Sequence, residues 1–392
     1  GDVDAVGCWG AQIENGMTMR ARLVFFEDGE RLVNVSCMAP DAMWSAFAPV
    51  FTRMLRTFRL RAPQATKVEL SGQFLKANQP MEKDASGDWS VTVGPVEPNL
   101  YPYHFVVDGL NVADPGNAAL FPNERFKSSL IDIPGEVLGQ NPPLHAVQDV
   151  PHGEVHYGYF QSKVLGTTRP YVVYTPPGYD KSKAKYPVLY LVSGTTDTEE
   201  TWYRAGRANF ILDNLIAQKK AVPMIVVMPY GYMMRGTFPR NSAQAGELLP
   251  LFADELVHSL RPHIEAHYRT LPGREHRGIA GFSRGGTQSM FTAFRHVDHF
   301  AWVASYASYI PPVVLETQLA EVFAKPEQIN ARYRLFWLGV GRSDFLYPEA
   351  EAFNRMLTDK GIRHTELITE GGHTWMNARH YLAETAQRFF KP

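Results

Sequence analysis

From residue 153 to the C-terminus, continuous apolar strands alternate with longer amphipathic helices, and this alternation limits the fold more than any other feature of the chain. Eight stretches read as strands: VHYGYFQS, RPYVVYTP, YPVLYLVS, PMIVVMPY, HRGIAGFS, AWVASYAS, RLFWLGVG and RHTELITE. Helical text such as ANFILDNLIAQKK, ELLPLFADELVHSLRPHIEAHY and PEAEAFNRMLTDKG lies between them. Strands that are apolar on both faces must be covered on both faces, so the pattern predicts an α/β domain with a mostly parallel sheet over 153–392.

The preceding text is organised differently. Residues 1–60 read as a small α+β segment: Met19 to Phe26 and Arg31 to Cys37 are strand-like, and a helical pattern starts at Asp41. Over 64–135 short alternating runs, KVELSGQF, DWSVTVG and YPYHFVVDG, are separated by Gly, Pro, Asn and Asp, as in a β-sandwich. This stretch resembles the immunoglobulin-like, carbohydrate-binding-type modules found ahead of catalytic domains in glycan-active enzymes. Trp89, Tyr101 and Tyr103 are its available rings, either for stacking on sugar or for filling the sandwich core. The polar, proline-bearing stretch 136–152 reads as a linker.

Composition removes several function classes. Lysine plus arginine is 39 against 40 aspartate plus glutamate, so the basic surplus of a nucleic-acid binder is missing. Apolar runs fall short of the roughly 18 residues of a membrane span, which argues against membrane partners. Two cysteines, Cys8 and Cys37, exclude a cysteine-built zinc site; they are either one staple or two separate thiols. The opening GDVDAVGCWG lacks the pattern of a secretory leader, and a processed product reads the same way. We find no His, Asp and Glu cluster with metal-ligand spacing on one helix, and expect neither metal nor cofactor.

The chemistry concentrates in Gly281-Phe282-Ser283-Arg284-Gly285, followed by Gly286, between a strand and a helical run. That is the context of a nucleophile elbow, where small neighbours let a serine hydroxyl stand above the sheet. The base and its orienting acid then follow in the order Ser, Asp, His. Asp344 in GRSDF and His373 in GGHTW each stand just past a strand, at the edge where Ser283 emerges; Glu370 is the reserve acid. The oxyanion hole is assigned to the backbone N–H groups of Arg284 and Thr195, the latter in Val192-Ser193-Gly194-Thr195-Thr196-Asp197, with Thr196 as the alternative to Thr195.

With these motifs, VPHGEV, SKVLG, YVVYTPPGYD, YPVLYLVSG, GRANFILDNLIA, PMIVVMPYG, GFSRGG and GGHTW make residues from about 150 onward resemble the carbohydrate esterase family of feruloyl and acetyl xylan esterases. The resemblance implies an α/β-hydrolase, secreted or periplasmic, acting on feruloylated or acetylated plant cell-wall polysaccharide. It maps Ser283, Asp344 and His373 onto the family triad. Two departures stand out: Ser193-Gly194-Thr195-Thr196 replaces the usual His-Gly and glycine-rich continuation, although esterase D-type relatives also carry Ser-Gly there, and Arg284 replaces a frequent Met. The Arg284 side chain either meets an anionic group of a substrate or pairs with a local carboxylate.

An aromatic acyl group needs an apolar slot, for which Trp202, Tyr203, Tyr309, Phe345 and Trp375 are placed on loops past the strand ends; Trp202, Tyr309, Phe345 and Trp375 are the substrate-binding candidates. The loop 231–244 is a candidate lid. A siderophore esterase of the enterobactin-hydrolysing type is a rival reading, with Arg207, Arg235 and Arg284 available for catecholates. A glycan-binding protein with an idle hydrolase fold is another, which the complete Ser, Asp, His set opposes.

Overall fold

The eight strand stretches form one sheet in a computed structural model that describes residues 7–13, 17–28, 31–40, 56–125, 127–233 and 242–391. We label its strands β1 (Glu154–Gln161), β2 (Thr168–Thr175), β3 (Val188–Val192), β4 (Ile225–Pro229), β5 (Arg277–Phe282), β6 (Trp302–Tyr306), β7 (Leu335–Gly341) and β8 (Thr365–Thr369). Their spatial order is β1-β2-β4-β3-β5-β6-β7-β8. Strand β2 runs antiparallel to both neighbours, and every pair from β4 through β8 is parallel. This is the α/β-hydrolase sheet the sequence predicts.

Every residue of β3, β4 and β6 is buried, which is why these strands read as unbroken apolar runs. The helices that matter below are α1 (Ala208–Ala217), α2 (Ser242–Glu255), α3 (Arg284–Arg295), α4 (Tyr347–Asp359) and α5 (Trp375–Ala386). Apolar faces of α2, α3 and α4 meet the sheet through Phe252, Phe291, Phe294, Phe353 and Leu357, all in one buried cluster with Val188, Ile225 and Ile279. The parallel strands end on a common edge, so the residues just past Val192, Pro229, Phe282, Tyr306 and Gly341 are neighbours there.

The chain divides into two compact units, 1–120 with 128–141, and 121–127 with 142–392. The hydrolase unit is therefore discontinuous in sequence. It takes in seven residues, Phe121–Lys127, from the middle of the N-terminal half. It also takes in most of the stretch expected to be a linker: the Asn214 amide donates to the carbonyls of Leu144 (2.7 Å) and Ala146 (2.9 Å).

In the N-terminal unit, Val68–Gly72, Gln79–Pro80, Asn99–Val107, Leu110–Val112 and Ser129–Ile133 form one antiparallel sheet. A second contains Arg56–Arg61, Asp88–Val93 and Glu82–Lys83, so the strand Arg56–Arg61, which the sequence had placed in the preceding segment, belongs with the β-rich region. Phe58 from the second sheet packs against Tyr103 of the first, ring centroids 5.0 Å apart. The rings offered for sugar stacking fill this core. Trp89 is buried and donates its indole N–H to Ala62 O (2.9 Å), while Tyr101 and Tyr103 are buried with their hydroxyls bonded to Glu97 O and Asp114.

Before these sheets, Gly7–Ile13, Met17–Asp28 and Arg31–Pro40 pair in that order. Cys8 and Cys37 both sit opposite Arg22, one on each side, so their backbones are two strand spacings, roughly 10 Å, apart. The helix expected from Asp41 lies outside the described residues.

Candidate active site

Ser283 sits between β5 and α3 with φ +56° and ψ −126°, a backbone conformation that side chains rarely adopt. The sequence permits it through glycine. A Cβ on Gly281 would come 2.3 Å from the backbone of Gly285, and one on Gly285 would come 2.3 Å from Val192 O. Neither neighbour can yield, because both are main chain. The turn is fixed further by Ser283 N–H to Tyr306 O (2.8 Å) and by Gly286 N–H to Ser283 O (2.8 Å).

Asp344 and His373 come together from the ends of β7 and β8. His373 donates Nδ1–H to both carboxylate oxygens of Asp344, at 2.8 and 3.0 Å, and Leu346 N–H also donates to Asp344 (2.8 Å). The Asp344 carboxylate is fully buried and the imidazole retains slight exposure. With Nδ1 engaged by Asp344, Nε2 is the other ring nitrogen. The His373 ring lies stacked on Phe282, the residue before Ser283, with centroids 4.7 Å apart and planes 28° from parallel. That contact brings the base candidate to the elbow.

The loop after β3 is held from three sides. Within it, the Asp197 carboxylate accepts from Gly194 N–H (3.0 Å). From the cleft wall, Tyr232 accepts Thr196 N–H at its hydroxyl (2.8 Å), so that N–H is already engaged within the loop's surroundings. From the excursion 121–127, the Asn123 amide donates to the other Asp197 oxygen (2.9 Å) and Glu124 N–H donates to Thr196 O (2.8 Å). Burial pushes the Asp197 carboxyl up to about 7, against the pull of Asn123, Arg284 and the Gly194 N–H toward the charged form.

The Arg284 side chain meets carbonyls and an aromatic ring. Its guanidinium donates to Gly194 O (2.7 Å), Gly231 O and Gln288 Oε1 (3.3 Å), and stacks over the Tyr232 ring at 3.9 Å. It ties the loop after β3 to the segment after β4. Buried Arg169 holds that segment in turn, donating to the carbonyls of Tyr230 and Tyr232 while paired with Glu255 (3.0 Å).

A cleft of about 410 Å³ opens over Ser283, lined by Arg125, Thr195, Leu248, Leu249, Tyr309 and Phe345 among others. Of the four substrate-binding candidates, Tyr309 and Phe345 are on its wall. Phe345 is 70% exposed, with its ring 4.6 Å from that of His373. Trp202 and Trp375 are corrections: neither lines the cleft. Trp202 is wholly buried, its indole N–H bonded to Val192 O (3.0 Å), and Trp375 packs beneath Phe282 and against Trp202. Both support the site from below. Tyr203 packs against Tyr157 instead (6.4 Å). Of the candidate lid, Gly231, Tyr232 and Met233 line the cleft, and Arg235 lies outside the described residues with the rest of 234–241. Sequence reasoning missed Arg125, Asn123 and Glu124, and had Tyr232 only as part of the candidate lid. Position just past β4 could have singled out Tyr232; nothing local marks the other three.

One cluster among the described residues has metal-ligand character, Asp254, His258 and His296, with donor atoms within 4.8 Å of one another. Asp254 and His258 are four apart along one helical run, a spacing the sequence reading overlooked. Arg295 already donates to both Asp254 oxygens, at 3.2 and 3.4 Å, and a cation would have to displace it. None of the three lines the cleft over Ser283.

Residues 162–388 match the family model described as "Putative esterase". A curated endo-1,4-beta-xylanase/feruloyl esterase of Xylanibacter ruminicola is 30% identical over 349 residues, covering 85% of this chain and 44% of that protein. The chain thus spans under half the length of that relative. A solved ferulic acid esterase superposes with a TM-score of 0.53 at 25% identity, over 61% of this chain and 99% of the other. An enterobactin esterase of Shigella flexneri superposes with a TM-score of 0.62 at 15% identity, over 90% of this chain and 99% of its own; this likeness is one of fold.

Proposed function

Because the chain belongs to the esterase family whose model spans residues 162–388, we propose that it is a serine carboxylesterase releasing hydroxycinnamoyl groups, feruloyl above all, from plant cell-wall polysaccharide. The observation that carries the substrate class is the relative named a xylanase/feruloyl esterase, whose similarity runs through 85% of this chain, beyond the hydrolase segment alone. A cleft walled by Tyr309, Phe345, Leu248 and Leu249 accommodates a planar aromatic acid. On this proposal the enzyme acts outside the cytoplasm, where a polymeric substrate is met.

In this reading Ser283 Oγ attacks the ester carbonyl as His373 Nε2 takes its proton, and Asp344 keeps the imidazole in the required tautomer. The backbone N–H groups of Thr195 and Arg284 receive the developing oxyanion, a contribution of about 10²–10³ in rate for one donor. His373 then returns the proton to the leaving sugar hydroxyl. The acyl-enzyme at Ser283 is hydrolysed by water activated at the same imidazole.

Acetyl xylan esterase is the sibling reading, and a catecholate-ester hydrolase is the rival, favoured by the Arg125 on the cleft wall. Initial rates on methyl ferulate, 4-nitrophenyl acetate and a catecholate ester separate the three. The feruloyl reading expects the highest kcat/KM on methyl ferulate; a preference for the catecholate ester by tenfold or more would replace it.

A further inference from the structure

The hydrolase unit borrows seven residues from the N-terminal half, and those residues meet the loop after β3. We infer that the strap Phe121–Lys127 holds the oxyanion loop in working geometry, with Asn123 and Glu124 as positioning residues for ester hydrolysis. The inference rests on the reading of Ser283 as nucleophile and Thr195 as oxyanion donor.

The loop does not hold itself. Thr196 has φ +65°, a left-handed conformation that a threonine adopts at a cost. Gly194 is closed against the Asp197 carboxylate, where a Cβ would come 2.9 Å from Oδ2. Asp197 therefore serves as the hub of the loop, and it is buried. A buried carboxylate needs a donor on each oxygen. Gly194 N–H supplies one from inside the loop, and the Asn123 amide supplies the other from the strap.

A second tie runs through the main chain. Glu124 N–H donates to Thr196 O, and the Asn123–Asp197 pair forms a β-bridge, so strap and loop are joined like two short strands. The strap is itself anchored. Pro122 O accepts from the Thr201 hydroxyl (2.6 Å), the Glu124 carboxylate takes the Tyr230 hydroxyl, and Asn123 Oδ1 accepts Arg125 N–H (2.9 Å). Thr195 lies between Gly194 and Thr196, and both flanks are fixed by this network. The aim of the Thr195 N–H is thus set in part by residues that lie outside the family model at 162–388.

The test measures labelling by a fluorophosphonate, which reacts at an activated serine through a tetrahedral adduct, beside hydrolysis of methyl ferulate by the full chain. The expected result for Asn123→Ala is labelling and kcat each about 10- to 100-fold slower. KM and inhibition by free ferulate should stay within about twofold, because ground-state binding does not use the oxyanion donors. Wild-type labelling speed in Asn123→Ala would overturn the inference; a wild-type protein that fails to label at all would instead overturn the reading of Ser283. If Asn123→Ala lowers the melting temperature sharply, Tyr230→Phe loosens the strap at its far anchor, with a kcat loss of about 3- to 10-fold expected and none contradicting the inference. Asn123→Ala combined with Asp197→Asn should cost no more than the worse single variant, since both act through one carboxylate. Fully multiplicative losses would show that Asn123 does not work through Asp197.

Discussion

The elbow at Ser283 and the loop at 193–197 border the same cleft but are held by different means. The elbow is locked by main chain against main chain: Gly281 closes on Gly285, and Gly285 closes on Val192 and Ser193. All of it lies within one strand, one turn and the end of the neighbouring strand. The loop is locked by side chains drawn from across the unit: Asp197 within it, Arg284 from α3, Tyr232 after β4 and Asn123 from the strap. A main-chain lock tolerates no added atom, whereas a side-chain lock can be loosened one hydrogen bond at a time. The elbow should therefore fail in folding and the loop in rate.

The largest effect belongs to the hydroxyl itself. Ser283→Ala should reduce hydrolysis of methyl ferulate by at least about 10⁴-fold, with stability unchanged to within about 0.5 kcal/mol, because Ala meets the same backbone strain. Residual activity near wild type would end the assignment.

Next come the two glycines that distinguish the locks. Gly285→Ala pushes a methyl group into Val192 O at 2.3 Å and Ser193 O at 2.6 Å, and should cost about 3 kcal/mol or more in urea unfolding. Gly194→Ala meets the end of the Asp197 side chain at 2.9 Å, which can move aside. It should cost about 1 kcal/mol, and lower kcat more than stability. Equal destabilisation by both would erase the distinction between the locks.

Asp197 adds a pH signature to the loop. Its carboxyl is raised to about 7 by burial, so between the unfolded value near 4 and about 7 the folded state binds a proton that the unfolded state does not. This contribution to stability is complete below about pH 4, falls as pH rises, and levels off above about 7. The difference in unfolding free energy between wild type and Asp197→Asn should decline across that window, by at most about 4 kcal/mol. A difference that stays flat from pH 4 to 8 would show that Asp197 is ionised throughout.

The same contrast explains what could be read in the sequence. The elbow was legible because its requirement is local: glycines on both sides of Ser283 between a strand and a helix. Asp344 and His373 were legible because parallel strands deliver their following residues to one edge. The strap was not, since FPNERF carries no turn, periodicity or motif that tells Asn123 to reach Asp197; only the tertiary fold joins them. Trp202 and Trp375 show the limit of the edge rule. Position past a strand brings a side chain near the site, but the burial of Trp202, in the helix Thr201–Arg204, and of Trp375, at the start of α5, depends on how those helices turn. The metal-ligand spacing of Asp254 and His258 was present in the text, yet its third member, His296, arrives from the end of α3.

The smallest effect measures what the elbow costs the fold. Ser283 is held at φ +56° and ψ −126°, where a non-glycine residue carries strain of order 1–3 kcal/mol. Glycine there relieves that strain but gains freedom in the unfolded chain, an opposing effect of up to about 1 kcal/mol. Ser283→Gly should thus be inactive yet more stable than wild type by about 1 kcal/mol, or roughly 2–4 °C in Tm for a unit of this size. Ser283→Ala, which removes the same hydroxyl without freeing the backbone, serves as the reference. If Ser283→Gly melts below Ser283→Ala, the turn is not strained by its side chain, and the main-chain lock owes its shape to the flanking glycines alone.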